Sequence, residues 1–381
     1  MKFLKRFFLT LIILIATASL LAVITGHSHL FKAISTTYLL GRTGPSIDDY
    51  QYFENREIPT QKHQAWKVSK KYNQYQNEKL HQEIEKHNPA AFLIVKDNEL
   101  IHEEYWDDYN EDSKTNSFSM AKSYIGLLIG IAIQEGKISS VNDPVGDYLP
   151  QYKNNPELTI KDLLTMSSGI DFDESYNSPF GHMAKAYYGT DLKELNKDYK
   201  VASTPGKEWT YLGGNTIILG FIIEKVTGQS IAEYFSDKIW KKIGAKNNAL
   251  WTLDKENGIE KAYCCFYSNA RDYAKIGQLL LNNGMWNGER VIKESYIKEA
   301  TTPAYYLKSN GQPVDFYGYQ IWIAYYKDLD IYFFRGILGQ YTIMIPEKNI
   351  VIVRLGHERS PNFINGNPSD FYTYIDFALG M

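Results

Sequence analysis

The chain has 381 residues, 44% of them hydrophobic, with a formal net charge of −3. That length carries one large domain or two modest ones, and the apolar content can fill a complete core. Acids and bases are interspersed, which excludes the basic stripe of a nucleic-acid binder, so no nucleic-acid partner is expected.

Lys2, Lys5 and Arg6 precede an uncharged run from Phe7 to Thr25, close to the ~20 residues that span a bilayer. Positive charge ahead of the run keeps the short N-terminal end in the cytoplasm. Residues 1–26 are therefore expected to anchor the protein in the inner membrane, with its body in the periplasm or outside. The alternative is a cleaved signal peptide and a secreted protein. No clean small-x-small site follows the run and no cysteine offers a lipid attachment point, which favours an uncleaved anchor.

Residues 27–88 are polar and aromatic without sustained periodicity, and Gly41, Gly44 and Pro45 break the early part. They predict a connecting arm packed on the domain surface, with helical spacing from Tyr72 to His87 through Tyr72, Tyr75, Leu80 and Ile84. His27 and His29 have no third ligand nearby, so they are expected to be linker and no metal is implied.

The domain proper is predicted to span residues 89–381. Ala91–Val95 and Leu100–Tyr105 read as strands joined by the Asp97-Asn98 turn. Long apolar helices are predicted over Ser119–Glu135, Asn215–Val226 and Asn269–Leu281, the first two ending near Gly136 and Gly228. Gln320–Tyr325, Ile331–Phe334, Tyr341–Ile345 and Ile350–Leu355 read as strands. Strands at both ends and helices between give an α+β layout, one sheet assembled from N- and C-terminal strands with helices packed on it. The 30 tyrosines are ascribed mainly to strand and core packing. The only cysteines, Cys264 and Cys265, are neighbours, and the short peptide between them opposes a mutual bond. They are expected to be small buried filler, forming neither a disulfide framework nor a metal site.

Three motifs carry chemistry. Ser119 and Lys122 lie three apart where a loop enters a helix, so both occupy one face. A lysine so placed can act as general base for the hydroxyl, and the helix N-terminus favours developing negative charge. Serine is also a common helix cap, so this pair is weak by itself. Tyr211, after the Pro205-Gly206 turn and ahead of Asn215, can serve as a second proton carrier or be a core tyrosine. The run Phe334-Arg335-Gly336-Ile337, before Tyr341, can lend a backbone N–H to an oxyanion hole or be an ordinary hairpin.

Taken in order, these segments resemble the serine β-lactamase-fold hydrolases of the class C β-lactamase and penicillin-binding-protein group, and within it the 6-aminohexanoate-oligomer hydrolases and related esterases. The resemblance spans roughly residues 89–357 and includes Thr159–Gly169, Glu260–Cys265 and Ala270–Ala274. It implies a β-lactamase/transpeptidase-like fold with an inserted helical subdomain and no cofactor. It also implies roles: Ser119 as nucleophile, Lys122 as base, Tyr211 as proton carrier, and the N–H groups of Ser119 and Ile337 as oxyanion hole. Tyr187, Tyr188, Asn215, Arg335 and Gly336 are the implied substrate contacts. Tyr211-Leu212-Gly213 replaces the family's Tyr-x-Asn, and Phe334-Arg335-Gly336 stands at the Lys-Thr-Gly position. Both departures match ester or linear-amide substrates better than lactams.

The expected partner is thus a small-molecule or peptide-like acyl substrate, with the membrane contacted through the N-terminal segment. A β-lactamase or D,D-peptidase, or a non-catalytic envelope binding module, are the alternatives. No Gly-x-Ser-x-Gly elbow, zinc-protease motif or phosphate-binding loop is present.

Overall fold

A computed structural model describes residues 2–381. Its centre is a seven-stranded sheet in the order Trp322–Tyr326, Leu329–Gly336, Gln340–Ile345, Ile350–Gly356, Pro89–Lys96, Glu99–Tyr105, Lys67–Val68. Neighbours are antiparallel except the last pair. The N- and C-terminal parts of the chain therefore meet where Pro89–Lys96 pairs with Ile350–Gly356. Pro89–Lys96 reads as a continuous apolar run because both sheet faces are covered. Alternation sends Leu93 and Val95 into one core and Phe92 and Ile94 into the other.

On the first face lies the helix Met120–Gln134, apolar all round and buried from Met120 to Ala132, as a helix enclosed by its own domain should be. Gly213–Thr227 packs against it. Ala270–Leu281 lies on the sheet, its first turn capped by the Asn269 side chain on the Asp272 N–H. The other face is covered by Ser369–Leu379, a helix absent from the sequence reading, which packs with Glu78–Glu85. The predicted helix over residues 72–87 is shorter than expected. Asn73 takes a left-handed φ of 54°, and the Asn77 side chain caps the Leu80 N–H, so helix begins only at Glu78.

The arm is more than a surface strap. Asn55–Ile58 is the edge of a second sheet, ordered Asn55–Ile58, Ala249–Thr252, Phe266–Ser268, Thr115–Asn116. Lys67–Val68 adds the last strand to the central sheet. Ahead of the arm, the helix Lys2–Ile24 has no buried residue. It ends at Gly26, whose φ is 74°, with Gly26 N–H bonded to Val23 O and His27 N–H to Ala22 O. This double-bonded left-handed cap turns the chain straight into a second helix, His29–Thr36.

Candidate active site

The second sheet delivers Ser119. Its strand Thr115–Asn116 continues into Ser117, whose N–H bonds Phe266 O at 2.8 Å, and the Asn116 side chain accepts from Phe118 N–H at 2.8 Å. Phe118 is held at a φ of 45° immediately before Ser119, the kind of local strain that a surrounding structure must impose. Gly336 presses on this loop: a Cβ there would stand 2.3 Å from the Ser117 carbonyl oxygen. Ser119 is the N-cap of Met120–Gln134. One turn on, Lys122 is buried, and its Nζ donates to Ser119 Oγ at 3.0 Å and to Tyr263 O at 2.9 Å.

Ile337 follows Gly336 in a bend whose next residue, Leu338, has a φ of 61°. Outside the helix and strand ladders, the backbone N–H groups of Ser119 and Ile337 have no protein acceptor. Both residues line one cavity of about 330 Å3. Two free donors beside a hydroxyl and an amine are the parts that stabilise a tetrahedral oxyanion.

Tyr211 stands beside Lys122, its ring centre 5.1 Å from Nζ, and packs against Trp322 at 5.3 Å. The Thr159–Gly169 stretch places it. Thr159 and Asp162 form a capping box on Ile160–Leu164. Met166, at a φ of 60°, then accepts from Thr210 N–H through its carbonyl and from Leu212 N–H through its sulfur. The Tyr211 hydroxyl bonds neither Ser119 nor Lys122 and is oriented by ring packing alone.

Several implied substrate contacts fall elsewhere. Asn215 is fully buried, its amide spent on Ser168 Oγ and Met166 Sδ. It braces the loop behind Tyr211 and does not meet the cavity. Arg335 lies on the Trp322 ring at 3.6 Å and donates to Asn367 Oδ1 at 3.0 Å. It is not among the cavity-lining residues, but it shares the Trp322 ring with Tyr211. Gly336 contributes close approach of backbone. Tyr187 and Tyr188 do line the cavity, and the Tyr187 hydroxyl is bound to Asp49 Oδ2 at 2.9 Å.

Cys264 and Cys265 are joined by a disulfide, which corrects their reading as unbonded filler. Cys265 takes a φ of 67°, and Cys264 lines the cavity next to Tyr263. The backbone around the pair is pinned by Trp251 Nε1, which donates to Cys264 O at 2.9 Å, and by Cys264 N–H on Lys261 O at 3.0 Å.

Glu174 was not singled out from sequence. Its carboxylate accepts from Gly213 N–H at 2.6 Å, at the start of Gly213–Thr227, and from the Tyr176 hydroxyl at 2.8 Å. Burial raises its pKa above the usual carboxylate range, against the opposing pull of Lys122 and of the Gly213 bond. Nothing in the local run Asp171-Phe172-Asp173-Glu174 signals that this acid returns to the neighbourhood of Lys122.

The rest of the cavity comes from the tyrosine-rich middle segment and the arm. Ser175–Pro179 with Met183, Ala184, Tyr187 and Tyr188 form one side, and Ala33, Thr37, Tyr38, Thr43, Gly44 and Pro45 form the roof. Asp49 ties roof to wall, accepting from Arg42 at 3.1 Å, Ser46 N–H at 2.9 Å and Tyr187. No Asp, Glu, Lys, Arg or His lines the cavity among the described residues.

The Beta-lactamase family model matches residues 78–370. The 6-aminohexanoate-dimer hydrolase of Paenarthrobacter ureafaciens is 27% identical over 304 residues, covering 74% of this chain and 76% of that protein. A solved structure from Bacillus anthracis, provisionally named a 6-aminohexanoate-dimer hydrolase, superposes with a TM-score of 0.75 at 23% identity, over 88% of this chain and 92% of that one. A family VIII carboxylesterase superposes with a TM-score of 0.63 at 17% identity, over 83% and 99%. At such identities the two structures speak to the fold.

Proposed function

The chain belongs to the beta-lactamase family of hydrolases, and we propose that it is a serine hydrolase that cleaves ester and linear amide bonds through an acyl-enzyme on Ser119. The observation that carries this reading is the 3.0 Å bond from Lys122 Nζ to Ser119 Oγ beside two free backbone donors.

In acylation, Ser119 Oγ bonds to the acyl carbon while its proton passes to Lys122. The N–H groups of Ser119 and Ile337 hold the negative charge that collects on the carbonyl oxygen; one such donor contributes roughly 10²–10³ in rate. The C–O or C–N bond then breaks, and the leaving oxygen or nitrogen takes a proton relayed through Tyr211. A water molecule attacks the acyl-enzyme by the same route in reverse, releasing the acid and restoring Ser119. Apart from Lys122 at Ser119, the cavity lining carries no charged side chain among the described residues, which supports ester and linear-amide donors over lactams that carry a carboxylate.

The helix Lys2–Ile24 serves in this reading as an uncleaved membrane anchor, with the hydrolase on the far side of the membrane from the cytoplasm. Its 23 residues at ~1.5 Å each reach across a hydrocarbon core. The hydrogen-bonded turn at Gly26 supports continuity with the folded arm.

The test is labelling by a fluorophosphonate probe, with turnover of p-nitrophenyl acetate measured beside nitrocefin. Wild type should take label and cleave the ester, and Ser119→Ala should do neither. No label on wild type would point to a non-catalytic binding module, and faster nitrocefin turnover to a lactamase.

A further inference from the structure

The cavity that holds Ser119 is roofed by the segment that leaves the anchor helix. Only residues 25–28 separate Ile24 from the helix His29–Thr36, and their backbone is hydrogen-bonded. That second helix is fixed to the cavity wall: His29 Nε2 bonds Pro179 O at 2.7 Å, and the His27 and Phe180 rings meet edge to face at 5.2 Å. Ala33 and Thr37 of this segment face the cavity. The end of the anchor and the cavity roof are thus one continuous, bonded unit.

The outer side of the same unit is apolar. Phe31, Ile34 and Tyr38 recur at helical spacing, and they are 42%, 45% and 67% exposed. Leu39 is 75% exposed, and Phe180 and Tyr176 from the wall are 58% and 55% exposed. Tyr38 and Tyr176 also line the cavity, so the mouth itself belongs to this apolar rim. A soluble surface does not need these exposed large apolar side chains on the roof segment and the adjoining wall, whereas an interfacial helix presents such a face, with aromatics at headgroup level. Behind the rim the lining carries no charged side chain among the described residues. Away from Ser119 and Lys122, a carboxylate or ammonium held there would lose its hydration without a charged partner.

We propose that this rim docks the cavity mouth onto the bilayer that holds the anchor, and that the substrates are uncharged aliphatic acyl esters drawn from that leaflet. The occupant of the rim is the lipid surface, because only four residues separate the anchor from the helix that begins the rim. The inference rests on the hydrolase and anchor readings above and narrows the acyl donor.

The experiment uses the full chain in phosphatidylcholine vesicles, with p-nitrophenyl laurate in the bilayer and p-nitrophenyl acetate in the water. The rim variant Ile34→Asp/Leu39→Asp alters two side chains outside the cavity lining. We expect it to float with the vesicles and to hydrolyse acetate within twofold of wild type. Its turnover of bilayer laurate should fall about tenfold, the scale set by exposing or charging buried aliphatic side chains. Ile34→Leu/Leu39→Phe should restore laurate turnover. Equal laurate turnover by the Asp variant and wild type overturns the docking, and preference of wild type for acetate overturns the aliphatic donor. Failure of wild type to cleave acetate, or to float, removes the hydrolase or anchor reading respectively and the inference with it.

Discussion

The carbonyl oxygen of Tyr263 accepts a 2.9 Å hydrogen bond from Lys122 Nζ, so the proposed base is positioned by a residue whose neighbour, Cys264, is bonded to Cys265. The disulfide fixes the peptide between the cysteines, and that peptide leads directly to the Tyr263 carbonyl. Breaking it by Cys264→Ser/Cys265→Ser should weaken one hydrogen bond to the base. A neutral bond worth about 1 kcal/mol corresponds to roughly fivefold in rate, so ester turnover should fall about fivefold. Reductant should produce the same fall in wild type and none in the variant. Full activity of the double variant would show that the carbonyl holds its place without the bond.

Lys122 and Tyr211 can be separated by which step they impair. Lys122→Ala removes the proton acceptor for Ser119 and should slow acylation by ~100-fold or more. Tyr211→Phe keeps the ring packed on Trp322 and deletes only the hydroxyl. It too should cost ~100-fold with a poor leaving group, and much less with p-nitrophenol, which needs no proton to depart. Stopped-flow burst rates with ethyl and p-nitrophenyl esters measure the contrast.

Ser119 and Lys122 were legible in the sequence because their relation is local: three residues apart on one helix. The long helices and strands were legible for the same reason, their apolar runs being bounded by Asn269, Gly136, Gly228 and the Asp97-Asn98 turn. The remainder of the site depends on contacts distant in sequence. Glu174 meets Gly213, Asp49 meets Tyr187, and the arm roofs a cavity more than 70 residues ahead of its nucleophile. The resemblance implied Asn215 as a substrate contact, yet its amide is taken up by Met166 and Ser168. The helix Ser369–Leu379 had a readable stripe in Phe371, Tyr374, Ile375 and Ala378, but its tyrosines and acids masked it.

Glu174 should trade stability for activity. Burial raises its folded pKa, so the folded state holds this proton more tightly than the unfolded chain. The stability it contributes is complete below the unfolded value of about 4.3 and is lost as pH rises through the folded value. Glu174→Gln should therefore be more stable than wild type at pH 7 to 8, with the difference closing in acid. The same change removes a negative charge whose field reaches Lys122, and ester turnover should drop about tenfold, the scale of ~1.4 kcal/mol on the barrier. Denaturant melts across pH, paired with kcat, test both halves.

Lys261 gives the opposite slope. It is buried beneath the cavity wall with its ammonium on the Tyr187 carbonyl and 4.6 Å above the Phe53 ring. Burial lowers its pKa to about 7, against about 10.4 in the unfolded chain. Between these values the unfolded state binds more protons, so stability rises with pH across that window and is flat below it. Lys261→Met should abolish the rise. Urea midpoints at intervals from pH 6 to pH 10 would show it, and an unchanged slope would mean that another group titrates.

Gly336 tests the geometry of the oxyanion pair. Its φ of −116° and ψ of 162° are open to any residue, so alanine there should gain slightly from a stiffer unfolded chain. Space decides otherwise. The new Cβ would stand 2.3 Å from the Ser117 carbonyl oxygen and 3.1 Å from Phe118 Cβ. Ser117 is itself bonded to Phe266, so the strand end carrying Ile337 must retreat from the loop carrying Ser119. The two N–H groups then no longer converge on one oxygen. Overpacking of this kind costs about 1–3 kcal/mol of stability, but a displacement near 1 Å in a reacting site costs about 10²-fold in rate. Gly336→Ala should therefore fold, keep the Lys122–Ser119 pair, and lose about a hundredfold in acylation. Acylation at the wild-type rate in the folded variant would show that Ile337 is not one of the two donors.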